Sequence, residues 1–333
     1  MNTTCNIDEI DNAGWAALVE QSSTATWFQT REAYDFFDSL SFLEAFVVAV
    51  GGEAELKGLI VGYVQKDGGK LKQFFSRRAI ITGGPLLADD ITPAELTALL
   101  TATTRHLRHK AIYIETRNLN DYSRWRTTFE ACGFSYEPHL NFHLATPTVE
   151  AAQSAIGRHR WRYIRLSLRD GAALVENPTL QQVRQFYLLL QDLYRTKVRM
   201  PLYPFEFFER LLTVAGARYL LVEYGGQVVG GSLCVCLPGK AVYEWAKCGD
   251  EHRHKNIRPS SLATWLGIRH AAENGYPRYD FMGAGKPDEP YGVRDFKAEF
   301  GGTLVEHGRY RYVANPPLYL LGTLAVKIMK KFQ

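Results

Sequence analysis

The residues best suited to chemistry lie between positions 276 and 302. A short β-prone run, Tyr279–Met282, stops at glycine and is followed by a polar loop with two prolines. Phe296 and Phe300 are four residues apart and therefore share one face of a short helix, which also carries Lys297 and ends at a glycine pair. The pattern places a lysine beside a strand end, where the crevice of an α/β sheet usually opens. The alternative is a lysine on a solvated helix face.

This stretch resembles the FemAB family of acyltransferases. Members of that family carry a Tyr-Asp-Phe-Gly-Gly-like strand end followed by Phe-Lys-x-x-Phe-Gly, and the match here covers Tyr279–Gly302. Met282 stands in place of the first glycine, and the rest of the chain fits in layout only. The resemblance implies two GNAT-type units in tandem and the transfer of amino acids from aminoacyl-tRNA to peptidoglycan precursors.

The resemblance also implies roles for individual residues. Lys297 would be the cation that stabilises the tetrahedral oxyanion when an acceptor amine attacks an activated carbonyl. Phe296 would form a wall of the acyl pocket. Asp280 or Asp295 would steer the amine or take its proton, the alternative being that each pairs with a nearby base.

No arrangement for covalent catalysis is apparent in the sequence. Neither a Ser-His-Asp nor a Cys-His pattern stands out, so we expect direct transfer without a covalent intermediate. His139 and His143 lie in one predicted strand without a nearby carboxylate pattern, and we expect them in packing or surface positions.

The phosphate grip of ordinary GNAT enzymes is missing. That grip is a glycine-rich turn that opens a helix, where bare backbone N–H groups bind the pyrophosphate of acetyl-CoA. The equivalent segment, residues 253–261, contains basic residues and serines but no glycine, and its counterpart at 88–93 is acidic. Acetyl-CoA held in the usual way is therefore disfavoured. The basic side chains could still bind a phosphate, or they could form a solvated loop.

Two further basic segments could bind an anionic substrate. In residues 158–169 arginines alternate with aromatic residues, which suits an RNA end or a diphosphate, although an exposed amphipathic helix is the alternative. Residues 194–201 resemble the family's basic segment near the acceptor cleft. The predicted substrate-binding residues are Arg160, Arg162, Lys197, Arg199, Arg253, Lys255, Arg258 and Tyr291.

Length and composition limit which class of protein this can be. The 333 residues are long for one core and suit two domains, with 46% hydrophobic and 22% charged residues. The formal charge of +4 permits an anionic partner without requiring one. The five cysteines show no metal-binding spacing, so no metal is expected. Neither a secretory leader nor a membrane span is apparent, which favours the reducing cytoplasm.

Apolar periodicity predicts the same order of elements in both halves, which gives mixed α/β sheets in two tandem GNAT-like domains. We expect domains at 1–150 and 151–315, closed by strands at 139–145 and 303–313 respectively. The stretch 316–333 is apolar with a basic end. It would pack back on the first domain, with peripheral membrane contact as the alternative.

The sequence supports three functional hypotheses. The first is a FemAB-like acyl or aminoacyl transferase that acts on a phosphorylated peptidoglycan or polysaccharide precursor. In this hypothesis the donor is aminoacyl-tRNA or acyl-CoA, no cofactor is permanently bound, and the tRNA acceptor end could be a partner. The second is a CoA-dependent N-acyltransferase with an atypical phosphate grip. The third is a non-catalytic binding module. DNA is not expected as a partner, and the expected location is the cytoplasm or the inner membrane face.

Overall fold

The structure, a computed structural model, describes residues 2–52, 55–65, 77–199, 201–254 and 256–331, with side chains as far as residue 324. Lys255 and the start of the strand predicted from Phe74 lie outside the described residues. The strands are β1 (Asn2–Thr4), β2 (Leu43–Gly51), β3 (Leu56–Gln65), β4 (Arg78–Gly83), β5 (Leu86–Leu87), β6 (Tyr113–Asn118), β7 (Ser135–Glu137), β8 (Leu140–Ala145), β9 (Ala173–Val175), β10 (Ala217–Tyr224), β11 (Gln227–Leu237), β12 (Ala241–Gly249), β13 (Arg278–Asp280), β14 (Thr303–Glu306) and β15 (Arg309–Val313).

The helices begin where capping residues allow. Thr92 and Glu95 form a capping box at the start of the helix that opens with Pro93. The helices are α1 (Asn12–Gln21), α2 (Arg31–Asp38), α3 (Pro93–Leu107), α4 (Arg126–Ala131), α5 (Val149–Ala155), α6 (Arg158–Arg169), α7 (Leu180–Leu193), α8 (Phe205–Leu211), α9 (Pro259–Glu273), α10 (Gly292–Ala298) and α11 (Pro316–Lys331). A π-helical turn, Tyr194–Val198, follows α7.

Two mixed sheets form the framework, which confirms the predicted α/β class. The first has the strand order β1-β2-β3-β4-β6-β15-β7, with β5 beside β3. The second has the order β14-β8-β13-β12-β11-β10-β9. Each sheet contains one parallel pair, β4 with β6 and β12 with β13, among the described pairings.

The chain divides into two compact units. The first unit is Met1–His139 with Glu306–Gln333, and the second is Leu140–Val305. In the first, apolar side chains of the sheet pack against α3 and α4. In the second, they pack chiefly against α9. Cys234 and Cys236 both lie in this second core, as their spacing in one strand predicts.

The unit boundaries differ from the expected domain ends because two strands join the other sheet. β8, expected to close the first domain, pairs with β13 in the second sheet. The single strand expected over 303–313 is broken at Gly308, where φ is +64°, and its second part, β15, pairs with β6 and β7 in the first sheet. The ring of Tyr310 stacks on Phe129 at 4.0 Å between centroids, so its apolar face fills the first core. Alternation shows which face of a strand is apolar but does not show which sheet it joins.

Candidate active site

The parallel strands β12 and β13 of the second unit stop pairing at Tyr243 and Asp280, and we refer to this strand end as the crevice. The two strands are parallel and pair at Val242↔Tyr279 and Tyr243↔Asp280. β13 ends at Asp280, whereas β12 continues to Gly249, so the last residues of β12 extend beyond the pairing. Ligands bind α/β sheets at such ends.

Lys297 lies beneath the loop that leaves β13. Its side chain is buried on α10, with the residue 5% exposed. The ammonium donates hydrogen bonds to the carbonyl oxygens of Phe281 and Gly283, both at 2.6 Å, and of Met282 at 3.3 Å. Burial lowers the pKa of Lys297 to about 8, with Glu244 opposing the shift and Lys247 adding to it. All three N–H donors of the ammonium therefore point to backbone carbonyls.

A second cation on α10 fixes the rest of this loop. The Arg294 guanidinium donates to the carbonyl oxygens of Ala284 at 2.8 Å, Pro287 at 3.3 Å and Glu289 at 3.2 Å, and also to that of Lys286. Arg294 and Lys297 thus hold successive carbonyls of the segment 281–289 against one short helix. Sequence reasoning missed Arg294, since an arginine on a short polar helix carries no distinguishing signal.

Met282 adopts a backbone conformation that favours glycine. Its φ is +52°, in the left-handed region, at the position where the family motif has glycine. The N–H of Met282 donates to the Asp280 carboxylate at 2.8 Å, and its carbonyl is the most distant of the three Lys297 acceptors. A strained residue therefore supplies the weakest bond to the lysine.

The glycine pair that follows α10 is required by close packing. A Cβ at Gly301 would lie 2.5 Å from the carbonyl oxygen of Ala155, and one at Gly302 would lie 2.7 Å from that of His143. Both glycines also have positive φ, +79° and +89°. The helix itself ends earlier than predicted, at Ala298, and a turn leads from there to the glycine pair.

Asp280 is fully buried and organises the strand end. One carboxylate oxygen accepts from Asn141 Nδ2 at 2.8 Å, and the other lies 3.0 Å from Nε2 of His143. Burial would raise the pKa of Asp280, but these neighbours and the charge of Arg278 outweigh it and lower the pKa below its ordinary value. His143 therefore has a carboxylate partner, contrary to the expectation from the sequence, because β8 joins this sheet rather than the first one.

A buried acid–base pair lies on the α9 side of the crevice. Oε1 of Glu244 accepts from Tyr279 Oη at 2.9 Å and from Thr264 Oγ1 at 3.1 Å. The other oxygen, Oε2, lies 3.2 Å from Lys247 Nζ, which also donates to Thr264 at 2.8 Å. Burial lowers the pKa of Lys247, and Glu244 opposes that shift. Sequence reasoning missed this pair, because both residues lie in a strand that is otherwise largely apolar.

The ring of Phe296 contacts two cations. Lys247 Nζ is 4.1 Å from the ring centroid and the Arg160 guanidinium is 4.6 Å from it. Arg160 also donates to Ser261 Oγ and to Glu299, both at 2.7 Å. Cation–π contacts of this kind fix the ring and surround it with positive charge. Phe296 thereby forms a half-buried wall between α6 and the end of β12.

The start of α9 carries a carboxylate of the protein itself. Pro259, the first residue, has no N–H, and the N–H of Ser260 donates to Glu251 Oε1 at 3.0 Å. The N–H of Leu262 is satisfied by the carbonyl of Arg258 at 3.0 Å. An acidic side chain thus occupies the helix terminus where an anion would otherwise bind.

A groove of about 560 Å³ lies beside the π-helical turn of the second unit. It is lined by Tyr187, Leu188, Gln191, Asp192, Tyr194, Arg195 and Leu202. Burial raises the pKa of Tyr194, and the nearby Tyr291 phenol adds to the shift. Arg199, just after the turn, has φ +54°. π-Helical turns and left-handed residues recur at functional sites.

Within the described residues, no group of three or more His, Cys, Asp and Glu side chains is arranged to hold a metal ion. The same part of the chain contains no helix long and apolar enough to cross a membrane.

Comparison with known proteins identifies the fold. Residues 157–297 match the family model described as Acetyltransferase (GNAT) domain. The solved structure of FemX is similar over 96% of this chain and 99% of its own, with 16% identity and a TM-score of 0.73. The chain has the tandem GNAT fold of FemAB-like proteins. The resemblance predicted from residues 279–302 is thereby confirmed at the level of the fold.

Two other solved structures share the FemAB-like arrangement. One is the C-terminal domain of a protein assigned as a lysylphosphatidylglycerol synthetase from Agrobacterium fabrum, with TM-score 0.56, 13% identity and 96% and 97% of the two chains covered. The other is a tandem GNAT protein from the clavulanic acid biosynthesis pathway, with TM-score 0.56, 11% identity and 95% and 99% covered. The sequence has no significant match among curated proteins. The acetyltransferase family match supports the predicted acyltransferase activity.

The FemAB-like fold brings together part of the predicted site. Lys297, Phe296, Asp280 and Arg160 converge on the crevice through the contacts described above. Arg160 donates hydrogen bonds to Ser261 and Glu299. It therefore does not lie on an exposed helix face, which was the alternative for residues 158–169.

Most of the other predicted residues in the described part of the chain are exposed. Asp295 is exposed, Tyr291 is 42% exposed, Arg253 pairs with Asp250 at 2.5 Å, and Arg258 lies over the Tyr163 ring at 4.9 Å. The three remaining predicted residues are exposed, and among the described contacts none reaches the crevice: Arg162, Lys197 and Arg199.

Proposed function

We propose that the chain is an acyl or aminoacyl transferase whose reaction takes place in the crevice between β12 and β13 of the second unit. The observation that carries the proposal is the position of Lys297, a buried ammonium at the carboxyl end of a parallel strand pair, next to a ring wall formed by Phe296. Its acceptor, an amine of a peptidoglycan or polysaccharide precursor, is proposed from the FemAB resemblance and from the similarity to FemX and to the protein assigned as a lysylphosphatidylglycerol synthetase.

In this reaction the acceptor amine attacks the carbonyl carbon of the donor directly. A C–N bond forms, the C–O or C–S bond of the donor breaks, and the leaving alcohol or thiol takes up a proton. The tetrahedral oxyanion needs a donor group. Lys297 Nζ can supply one if the substrate oxygen replaces the Met282 carbonyl, which at 3.3 Å makes the longest of its three bonds.

The proton of the amine needs an acceptor other than Asp280. That carboxylate is fully buried and bonded to Asn141 and the Met282 N–H, which suits a positioning role. His143, whose Nε2 lies 3.0 Å from Asp280, is our candidate for the proton acceptor. An imidazole oriented by a carboxylate is a common general base near neutral pH. Asp295, exposed on α10, remains the candidate that steers the amine.

We infer that the donor is not a CoA thioester bound at the start of α9. The Glu251 carboxylate already accepts from the Ser260 N–H, so a pyrophosphate would meet a like charge there. Phosphates of an aminoacyl-tRNA end would instead contact basic side chains such as Arg258 or, in the groove beside the π-helical turn, Arg195. Donors of both classes occur in the cytoplasm, where we place the reaction.

A CoA-dependent N-acyltransferase is the second candidate, favoured by the match of residues 157–297 to an acetyltransferase domain. Mass spectrometry of small molecules and RNA that co-purify with the protein would identify the donor class. Labelled aminoacyl-tRNA and acyl-CoA should then be compared as donors with nucleotide-linked and lipid-linked precursors. Transfer from neither donor would contradict the proposal.

The role of Lys297 can be separated from its grip on the loop. Lys297→Met removes both the ammonium and the loop bonds, whereas Arg294→Met loosens the same loop and keeps the ammonium. We expect Lys297→Met to lower turnover about 100- to 1,000-fold, the usual cost of a lost oxyanion contact, and Arg294→Met to lower it much less. Equal losses in the two variants, with circular dichroism unchanged, would assign Lys297 to structure alone.

A further inference from the structure

The helix α11 is fixed to the first unit by its first turn. The ring of Tyr319 lies edge-on to Tyr113 at 5.5 Å between centroids, and its hydroxyl accepts from Arg311 at 2.8 Å. The Asn315 side chain caps the helix by accepting from the N–H of Leu318 at 3.1 Å. The orientation of the helix about its axis is therefore set by specific contacts.

The opposite face of α11 presents leucines to solvent. Leu320, Leu321 and Leu324 are 62%, 55% and 47% exposed, and with exposed Pro317 they follow the i, i+3, i+4, i+7 spacing of one helical face. We refer to residues 317, 320, 321 and 324 as the leucine stripe. Adjacent exposed leucines on one face mark an interaction surface more often than a solvated one.

A basic pocket of about 150 Å³ adjoins the start of the same helix. Its lining includes Arg77, Arg108, His109 and Lys110, together with Asn315 and Leu318 of the α11 start. The pocket is rigid, because the N–H groups of residues 314 and 315 both donate to the Ile112 carbonyl, at 2.9 and 3.0 Å.

The pocket carries an excess of positive charge. Lys110 forms an ion pair with Glu44 at 3.0 Å, and Arg108 donates to His109 at 2.8 Å. Among the described residues, neither Arg77 nor Arg108 has a carboxylate within ion-pair distance. The sequence adds Lys327, Lys330 and Lys331 at the end of α11.

We propose that this face of the first unit docks on the surface of an anionic membrane. Leucines inserted at the boundary between headgroups and acyl chains, with arginines on lipid phosphates beside them, are the features of an interfacial helix. A second copy of the chain would bring equal positive charge to the face, which favours a lipid surface as the partner. The proposal adds to the proposed function and does not depend on the transfer chemistry.

Co-sedimentation with vesicles tests the proposal directly. The full chain is mixed with vesicles of phosphatidylglycerol and phosphatidylcholine, or of phosphatidylcholine alone, at two salt concentrations. We expect binding to the anionic vesicles that weakens as salt rises, and little binding to the neutral ones. The R77Q/R108Q variant should bind about 25-fold more weakly, since each of the two charges near such a surface contributes about a factor of five.

The leucine stripe is tested by L320S/L321S/L324S, which replaces exposed side chains and should leave the melting temperature unchanged. A matched control, L168S/L180S, replaces exposed leucines of the second unit and should bind like the parent chain. Absence of binding to anionic vesicles, or equal binding by all variants, would overturn the proposal. A parent chain that ignores vesicles but forms a dimer lost in the triple leucine variant would show that the stripe is a self-interface, which also overturns it.

Discussion

The ionisation of Lys297 gives the sharpest test of the crevice. The residue is 5% exposed, and burial lowers its pKa to about 8 from an ordinary value of 10.5. A shift of this size means that the site disfavours the ammonium by about 3 kcal/mol relative to water, since one pKa unit is about 1.4 kcal/mol. The three carbonyl acceptors and Glu244 favour the charged ammonium. The lowered pKa therefore means that the effect of burial is larger than theirs.

Carbon-13 NMR of protein labelled at lysine Cε measures this titration, and the Lys297 resonance is assigned by its loss in Lys297→Met. We expect a midpoint near 8. Glu244→Gln should move the midpoint lower, because the Glu244 charge supports the ammonium, and Lys247→Met should move it higher, because a neighbouring cation is removed. Lys57 provides a comparison within the same protein, because hydrogen bonds with Asp90 and, to a lesser extent, Glu55 raise its pKa.

The sign of the stability effect follows from the same shift. Between pH 8 and about 10.5 the unfolded state binds more protons at this lysine than the folded state does, so this group makes the free energy of unfolding rise with pH. If the ammonium stabilises the oxyanion, turnover should fall above pH 8, and Lys297→Arg should retain activity there. A midpoint near the ordinary value, or a rise on Glu244→Gln, would refute the electrostatic account of the crevice.

The other predictions concern the helix terminus, the strained residue and the first unit. CoA should bind weakly by calorimetry, and Glu251→Ala should tighten it severalfold by removing a carboxylate from the start of α9; sub-micromolar binding to the parent chain, a free energy of about −8 kcal/mol, would favour the CoA-dependent alternative. Met282→Gly should raise the free energy of urea unfolding by about 1 kcal/mol, since it relieves a left-handed conformation; an unchanged or lower value would argue against strain. Burial would raise the pKa of Glu115, but Arg117, Arg309 and Arg311 hold it at about 2, so its stabilisation of about 3 kcal/mol is present above pH 4.5 and is lost as pH falls towards 2. Glu115→Gln should remove that part of the acid sensitivity, and an unaltered acid profile would contradict it.

Most helices and strands could be predicted from the sequence, and so could the position of Lys297 beside a strand end. Periodicity placed the helices because an apolar stripe recurs with the helical repeat wherever one face packs inward. Spacing placed Phe296 and Phe300 on one face of a short helix; the helix ends at Ala298, before Phe300, although the two rings still pack against each other. Lys297 was located beside a strand end by its neighbours in the chain.

Contacts between residues far apart in the chain could not be predicted from the sequence and are seen only in the folded structure. His143 gained its carboxylate partner because β8 pairs with β13, a choice that alternation along β8 does not encode. Lys247 and Arg160 both reach the Phe296 ring from elements far apart in the chain. Local pattern fixes which face of an element is apolar, whereas partners, burial and hence pKa shifts depend on how those faces pack together.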